Sequence, residues 1–362
     1  MSSEWTRREF GKLAMGTVLA SSNPPARAKL WKPEPGIKIA VQLGSNFTDE
    51  DLAFAQQLGV QYVSIWVGGE EATAENFKRL KARVEAAGLK VWNIGNRDVH
   101  NMEEVTLNLP GRDQKIEQYL QYLRNIAEAG IYYTTYAHMG NGIWSTGREP
   151  TRGGAMARAF DLAKATSGWW NGKEFRGPLT HGRQYSEQEL WENYTYFIRK
   201  VVPVAEELGI RIGIHPDDPP VYPLGGVPRC IFGTFEGFKR ALEIANSPNI
   251  GVCLCVGCWL EGGQAMGCSP EEAIRYFGRQ GKLFKIHFRN VSSPLPHFVE
   301  TFVDAGYKDM YLVMKAIREV DFDGVIIADH VPQMVGGPRT AWAHAIAYIK
   351  CLVDRVNAEA HA

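Results

Sequence analysis

Residues 212–220 read Ile212-Gly213-Ile214-His215-Pro216-Asp217-Asp218-Pro219-Pro220, and the architecture follows from how that stretch changes character. An apolar run ends in a histidine, and two carboxylates and three prolines follow at once. Proline has no amide hydrogen to give to a ladder, so a strand here stops at His215 and a rigid turn begins. Three further runs end in the same fashion. Gly251-Val252-Cys253-Leu254-Cys255 ends in a thiol. Leu283-Phe284-Lys285-Ile286-His287-Phe288-Arg289 ends in a histidine and an arginine. Val325-Ile326-Ile327-Ala328-Asp329-His330 ends in an acid and a histidine. α/β folds place their chemistry at such C-terminal strand ends.

Working outward, four earlier strands are predicted at 37–43, 61–67, 89–94 and 131–137. Helices separate them. One is capped by Thr48 with Asp49, Glu50 and Asp51 in its first turn; another covers 74–87 and is ended by Gly88; a long amphipathic one covers 112–129. The alternation pauses over residues 139–184, rich in Gly, Arg, Thr and Trp, which read as a functional lid or binding loop. Ser186 with Glu189 at capping-box spacing then opens a helix to about 208. A second irregular segment, 216–233, precedes a helix capped near Thr234. Ser269-Pro270-Glu271-Glu272 opens another, with proline in its first position. Two more helices are predicted over 309–319 and 339–356. Eight strand–helix units predict an α/β fold, a (β/α)8 TIM barrel with a long insertion after strand 4. An open doubly wound sheet is the competing architecture. It would spread the four polar strand ends along a line, whereas a barrel brings them to one mouth.

The totals agree with one large barrel: 362 residues, of which 45% are hydrophobic. Lys+Arg and Asp+Glu both number 40, and no basic stripe stands out, which argues against a nucleic-acid or anionic-membrane partner. Of the six cysteines, Cys253, Cys255, Cys258 and Cys268 crowd into one segment, unlike a disulfide framework. The N-terminal segment Thr6-Arg7-Arg8-Glu9-Phe10-Gly11-Lys12, with the short apolar stretch after it and Ala26-Arg27-Ala28, reads as a twin-arginine export signal. Residues 1–30 are therefore set apart as signal and linker, and 31–362 as the catalytic barrel. The expected location is periplasmic or otherwise exported, or cytoplasmic if the signal does not function, with no stable membrane insertion after signal removal.

His215, Cys255, His287 and Asp329 are the predicted metal ligands. Imidazole, thiolate and carboxylate together suit a borderline first-row ion such as Mn, Fe, Co or Zn, and a hard Mg or Ca site would rarely include the thiolate. Alternation places Cys253 and Cys255 on one face, and Cys255 is nearer the mouth. Arg289 lies two residues beyond His287 and is a candidate for holding a substrate carboxylate. Asp329, His330, Asp217 and Asp218 are candidate acids or bases beside the metal. His100, His138, Arg148 and His181 lie in loops that could reach the mouth.

The stretch from Leu190-Trp191-Glu192-Asn193 through Val202-Pro203-Val204-Ala205-Glu206-Glu207-Leu208-Gly209 and into Ile214-His215-Pro216-Asp217-Asp218-Pro219-Pro220 resembles mannonate dehydratase. So do Leu254-Cys255-Val256-Gly257, Ile286-His287-Phe288-Arg289, Asp309-Met310-Tyr311, and Asp329-His330 with Gln333-Met334. The resemblance implies a TIM barrel, a divalent ion (most often Mn2+, with Fe2+, Co2+ or Zn2+ as alternatives), and elimination of water from D-mannonate to give 2-keto-3-deoxy-D-gluconate. It implies metal binding by the same four residues. The partner it implies is a small sugar acid, with homo-oligomerisation left open. Val331 and Pro332 stand where the family pattern resembles Asp-His-Gly-His, and a family tyrosine has no clear counterpart near Trp342 and His344. Alternative expectations are a metal-dependent isomerase, epimerase or keto-glycoside lyase on a xylose-isomerase-like barrel, and a non-catalytic sugar-binding protein.

Overall fold

The computed structural model describes residues 29–360. The twin-arginine segment lies outside the described residues. Eight parallel strands carry the fold: β1 Lys38–Gly44, β2 Tyr62–Val67, β3 Lys90–Asn96, β4 Tyr133–Ala137, β5 Arg211–His215, β6 Ile250–Cys255, β7 Leu283–His287 and β8 Val325–Ile327. Their order in the sheet is β3-β2-β1-β8-β7-β6-β5-β4, as a rolled barrel requires. A parallel bridge between Asn101, five residues past β3, and Ala137 of β4 spans the seam between the two end strands. The eight major helices are α1 Asp49–Gln57, α2 Ala74–Ala86, α3 Arg112–Glu128, α4 Glu187–Leu208, α5 Phe235–Ala245, α6 Pro270–Arg279, α7 Met310–Glu319 and α8 Pro338–Ala360. The predicted caps form. Thr48, Ser186 and Ser269 each close a capping box with the acid three residues on. Among the described residues no helix is long and apolar enough to cross a membrane.

Strand alternation sorts the core into two parts. Val63, Ile65 and Val67 of β2 join the main core with Leu52, Phe77 and Leu80 of the helices. Tyr62 instead joins Ala40, Trp92, Tyr133, Phe284, Val325 and Ile327 in a second cluster. Tyr133 shares a strand face with Thr135, which lines the mouth, so this second cluster plugs the barrel beneath it. Gly213 fits that plug because a Cβ there would meet the Tyr133 hydroxyl at 2.5 Å.

Two segments differ from expectation. Residues 139–184 are not a loop. They form short strands at Ile143–Trp144, Gly147–Pro150, Met156–Asp161, Ser167–Trp170 and Lys173–Arg176, paired antiparallel in two small sheets. Met156–Asp161 also pairs with His297–Thr301, a strand from the segment after β7. Pieces this short leave little periodicity to read, and the last pairing joins distant parts of the chain. The second surprise is a helix, Val256–Gly262, starting directly after β6 with Cys255 as its N-cap. Gly257 and Cys258 in its first turn and Gly262 at its end disguise it in the sequence.

Candidate metal centre

The ends of β5, β6, β7 and the residue two past β8 deliver His215, Cys255, His287 and Asp329 to one point, with ligand atoms all within 4.8 Å of one another. Register accounts for this: Cys255 is the lateral partner of His287 and His287 that of Ile327, so neighbouring strands end level. His215 Nδ1 donates to the Pro216 carbonyl at 2.7 Å, leaving the Nε2 lone pair free and 3.2 Å from His287 Nδ1. Asp329 Oδ1 lies 3.3 Å from that same His287 nitrogen, and Cys255 Sγ lies 3.9 Å from Asp329 Oδ2. Tetrahedral bonds of 2.0–2.3 Å require donor spacings of about 3.3–3.8 Å. The donor set and its spacing therefore fit a first-row divalent ion.

Local electrostatics favour the ligating, anionic forms of Cys255 and Asp329. Burial would raise the Cys255 thiol, but a hydrogen bond from the Cys258 thiol and the Arg289 guanidinium outweigh it and hold the thiol well below its ordinary value. The Cys258 N–H donates to Cys255 Sγ at 3.5 Å. Burial likewise opposes ionisation of Asp329, and His287, His330 and Arg289 overcome it, keeping the carboxyl well below its usual range. Asp329 sits at φ +63°, a left-handed conformation that aspartate tolerates better than most residues. Its carbonyl accepts from Gln42 Nε2 at 3.3 Å.

Arg289 does not open onto the mouth as its sequence position suggested. It is 1% exposed. Its Nε donates to Asp329 Oδ2 at 3.2 Å, one terminal nitrogen to Glu261 at 2.7 Å, and the other to Asp218 at 3.3 Å. With its fork committed, it orients Asp329 and has no donors left for a substrate carboxylate. Arg158, from the insertion, completes the layer through ion pairs to Asp218 and Glu300. Burial drives the Glu261 carboxyl up to about 8 against the pull of Arg289. Glu300 in turn accepts from His330 Nδ1 at 2.8 Å. Burial disfavours charge on His330, but Asp329 and Glu300 prevail and raise it to about 9.

A cavity of about 260 Å³ is lined by His215, Asp218, Lys285, His287, Asp329 and His330. Gln42, Trp66, Arg97, His100, Met139 and Trp170 line it as well. Of the adjacent acids, Asp218 lines the cavity. Asp217 is buried away from it, 3.6 Å from Arg229, and burial raises its carboxyl to about 6. His100 reaches the wall; its Nδ1 meets the Thr135 carbonyl at 3.0 Å, and burial lowers it to about 3. His138 packs among Tyr194, Phe197 and Phe232, and His181 bonds Glu103 at 2.9 Å, so neither lines the cavity. Arg148 is exposed on a strand of the insertion. Sequence reasoning missed Lys285, Arg97, Trp66, Trp170, Gln42 and Glu300. Only Lys285 left a clear signal, two residues before His287 on the same strand face.

A family model described as "D-mannonate dehydratase (UxuA)" matches residues 60–361. A mannonate dehydratase of Thermotoga neapolitana is 33% identical over 293 residues, covering 72% of this chain and 78% of that protein. Mannonate dehydratase 2 of Halalkalibacterium halodurans is 33% identical over 275 residues, covering 71% and 78% respectively. The crystal structure of mannonate dehydratase from Streptococcus suis serotype 2 aligns at TM-score 0.76 and 26% identity, over 91% of this chain and 95% of that one. An L-ribulose 3-epimerase, at TM-score 0.57 and 14% identity over 90% of this chain and 97% of its own, shares the fold alone.

Proposed function

This chain belongs to the D-mannonate dehydratase family, and from that premise we propose that it removes water from a sugar acid, D-mannonate, to give 2-keto-3-deoxy-D-gluconate. The observation that carries the reading is the convergence of His215, Cys255, His287 and Asp329 on one point, beside a cavity that His215, His287, Asp329 and His330 line. In this reading those four residues hold a divalent ion, Mn2+ by preference, which supplies Lewis-acid stabilisation of enolate-like charge. The elimination takes the proton from C2 and expels the C3 hydroxyl as water; the enol then tautomerises to the 2-keto acid.

The chain's own groups divide the remaining work. His330 is held by Glu300 through Nδ1, which leaves Nε2 for proton transfer at the cavity. Asp218 lines the cavity with its carboxylate tied to Arg158 and Arg289, so it shapes the site and does not move protons. Asp217, turned toward Arg229, is outside the proposed proton path. Pro332, standing where the family pattern has a second histidine, supports a second reading in which the same centre isomerises or epimerises a sugar. Arg7 and Arg8 support export of the folded, loaded enzyme.

The test is turnover of D-mannonate by Mn-loaded protein, followed as 2-keto-3-deoxy acid. Product formation that disappears in His287→Ala is expected. Bound metal with no product would replace the dehydratase reading by the isomerase one, and absence of metal binding would overturn the centre itself.

A further inference from the structure

We propose that Arg97, backed by Trp66 and Trp170, is the subsite that selects an acid over a neutral sugar; this rests on the sugar-acid reading above. A cation is needed for that task, and the mouth offers few. Arg289 and Arg158 are buried and committed to carboxylates. Lys285 lies deep, 3% exposed and within 3.5 Å of Asn93 Oδ1. Arg97 lines the cavity at its rim, and among the described residues its guanidinium makes no hydrogen bond or ion pair. Its neighbour Asp98 is already occupied, accepting from Gly69 N–H at 2.6 Å and from Asn171 Nδ2 at 2.7 Å.

The backbone beneath that free fork is fixed. Arg97 opens the short helix Arg97–His100 after β3, and its carbonyl accepts from Trp170 Nε1 at 2.9 Å. Trp170 reaches the cavity from the insertion and stacks on His100, with centroids 5.1 Å apart and planes 27° from parallel. Trp66 closes the other side of His100 edge-on at 4.9 Å, and the Arg97 guanidinium lies 5.9 Å from the Trp66 ring. Trp66 Nε1 bonds Gln42, which bonds the Asp329 carbonyl, so the rim is tied to the proposed metal ligand through two side chains. The result is a rigid aromatic wall, suited to the C–H face of a carbon chain, with one uncommitted bidentate donor at its edge.

The experiment is calorimetric binding of D-gluconate and of D-mannitol, an acid and a neutral polyol of equal length, to the Mn-loaded full chain. Wild type is expected to favour the acid at least tenfold. Arg97→Met is expected to remove that preference while leaving mannitol binding and metal content unchanged, and Arg97→Lys to restore part of it. Trp170→Ala is expected to weaken both ligands alike. Retained acid preference in Arg97→Met, equal loss of both ligands in that variant, or no acid preference in wild type would each overturn the proposal. An Arg97-dependent preference in a protein that leaves D-mannonate unchanged would uphold the subsite and refute the dehydratase reading alone.

Discussion

Replacing Arg289 with methionine tests whether the metal centre stands on a buried charge layer. The side chain keeps its approximate length but loses the fork that serves Asp329, Glu261 and Asp218. Removing one partner of a buried ion pair costs about 3–5 kcal/mol, because the opposite charge stays buried without compensation. Glu261, already raised to about 8, relieves part of this by keeping its proton. The lower end, about 3 kcal/mol, is therefore expected. A chain of 362 residues unfolds with an entropy of about 0.8 kcal/mol per degree, so the melting temperature should fall by about 4 °C. Metal affinity should fall about tenfold to a hundredfold, since Asp329 loses its orienting donor. The assay is calorimetric melting of metal-free protein, paired with metal content after dialysis against a weak chelator. Arg275→Met, which breaks the outer Arg275–Glu319 pair, is the control and should cost less than about 1 kcal/mol. A melting temperature within a degree of wild type, with full metal retention, would refute the idea that Arg289 supports the centre.

Three other changes have distinct expected outcomes. Gly257→Ala should strip metal without touching a ligand, because the added methyl would lie 2.4 Å from the Arg289 guanidinium; normal metal content in that variant would contradict the packing described. Cys255→Ser should lower Mn2+ retention modestly and Zn2+ retention by at least tenfold, given the softer donor preference of zinc, read by competitive metal titration. Asp217→Asn should leave turnover of D-mannonate within about threefold of wild type, since the carboxyl faces Arg229; a loss of a hundredfold would restore it to the proton path.

The barrel and the four converging ends were legible because both depend on local patterns. Period-two alternation puts Cys253 with Cys255 and Lys285 with His287, and proline marks where β5 must stop. The same rule also places Lys285 at the cavity, but its charge disguised it as a surface residue and it was missed. Beyond Pro216 the strand period ends, so spacing could not decide which of Asp217 and Asp218 turns inward. Arg289 misled for a related reason. Its position two past His287 pointed it toward the mouth, but the unforeseen helix Val256–Gly262 brings Glu261 within 2.7 Å and holds it below. Arg97, Glu300 and Trp170 owe their places to contacts between distant segments, which no local period records.

The pairing of Met156–Asp161 with His297–Thr301 couples two loops that barrel engineering usually treats as interchangeable parts. Phe160 stacks on Phe298 across the seam, and Arg158 meets Glu300 beneath it. Modularity in this barrel is thus by pairs of loops. A graft of the segment after β4 from a relative, made without the matching segment after β7, would leave a bare sheet edge and an unanswered buried carboxylate. Recombination between relatives should preserve activity when both segments come from one parent, even if every helix comes from the other.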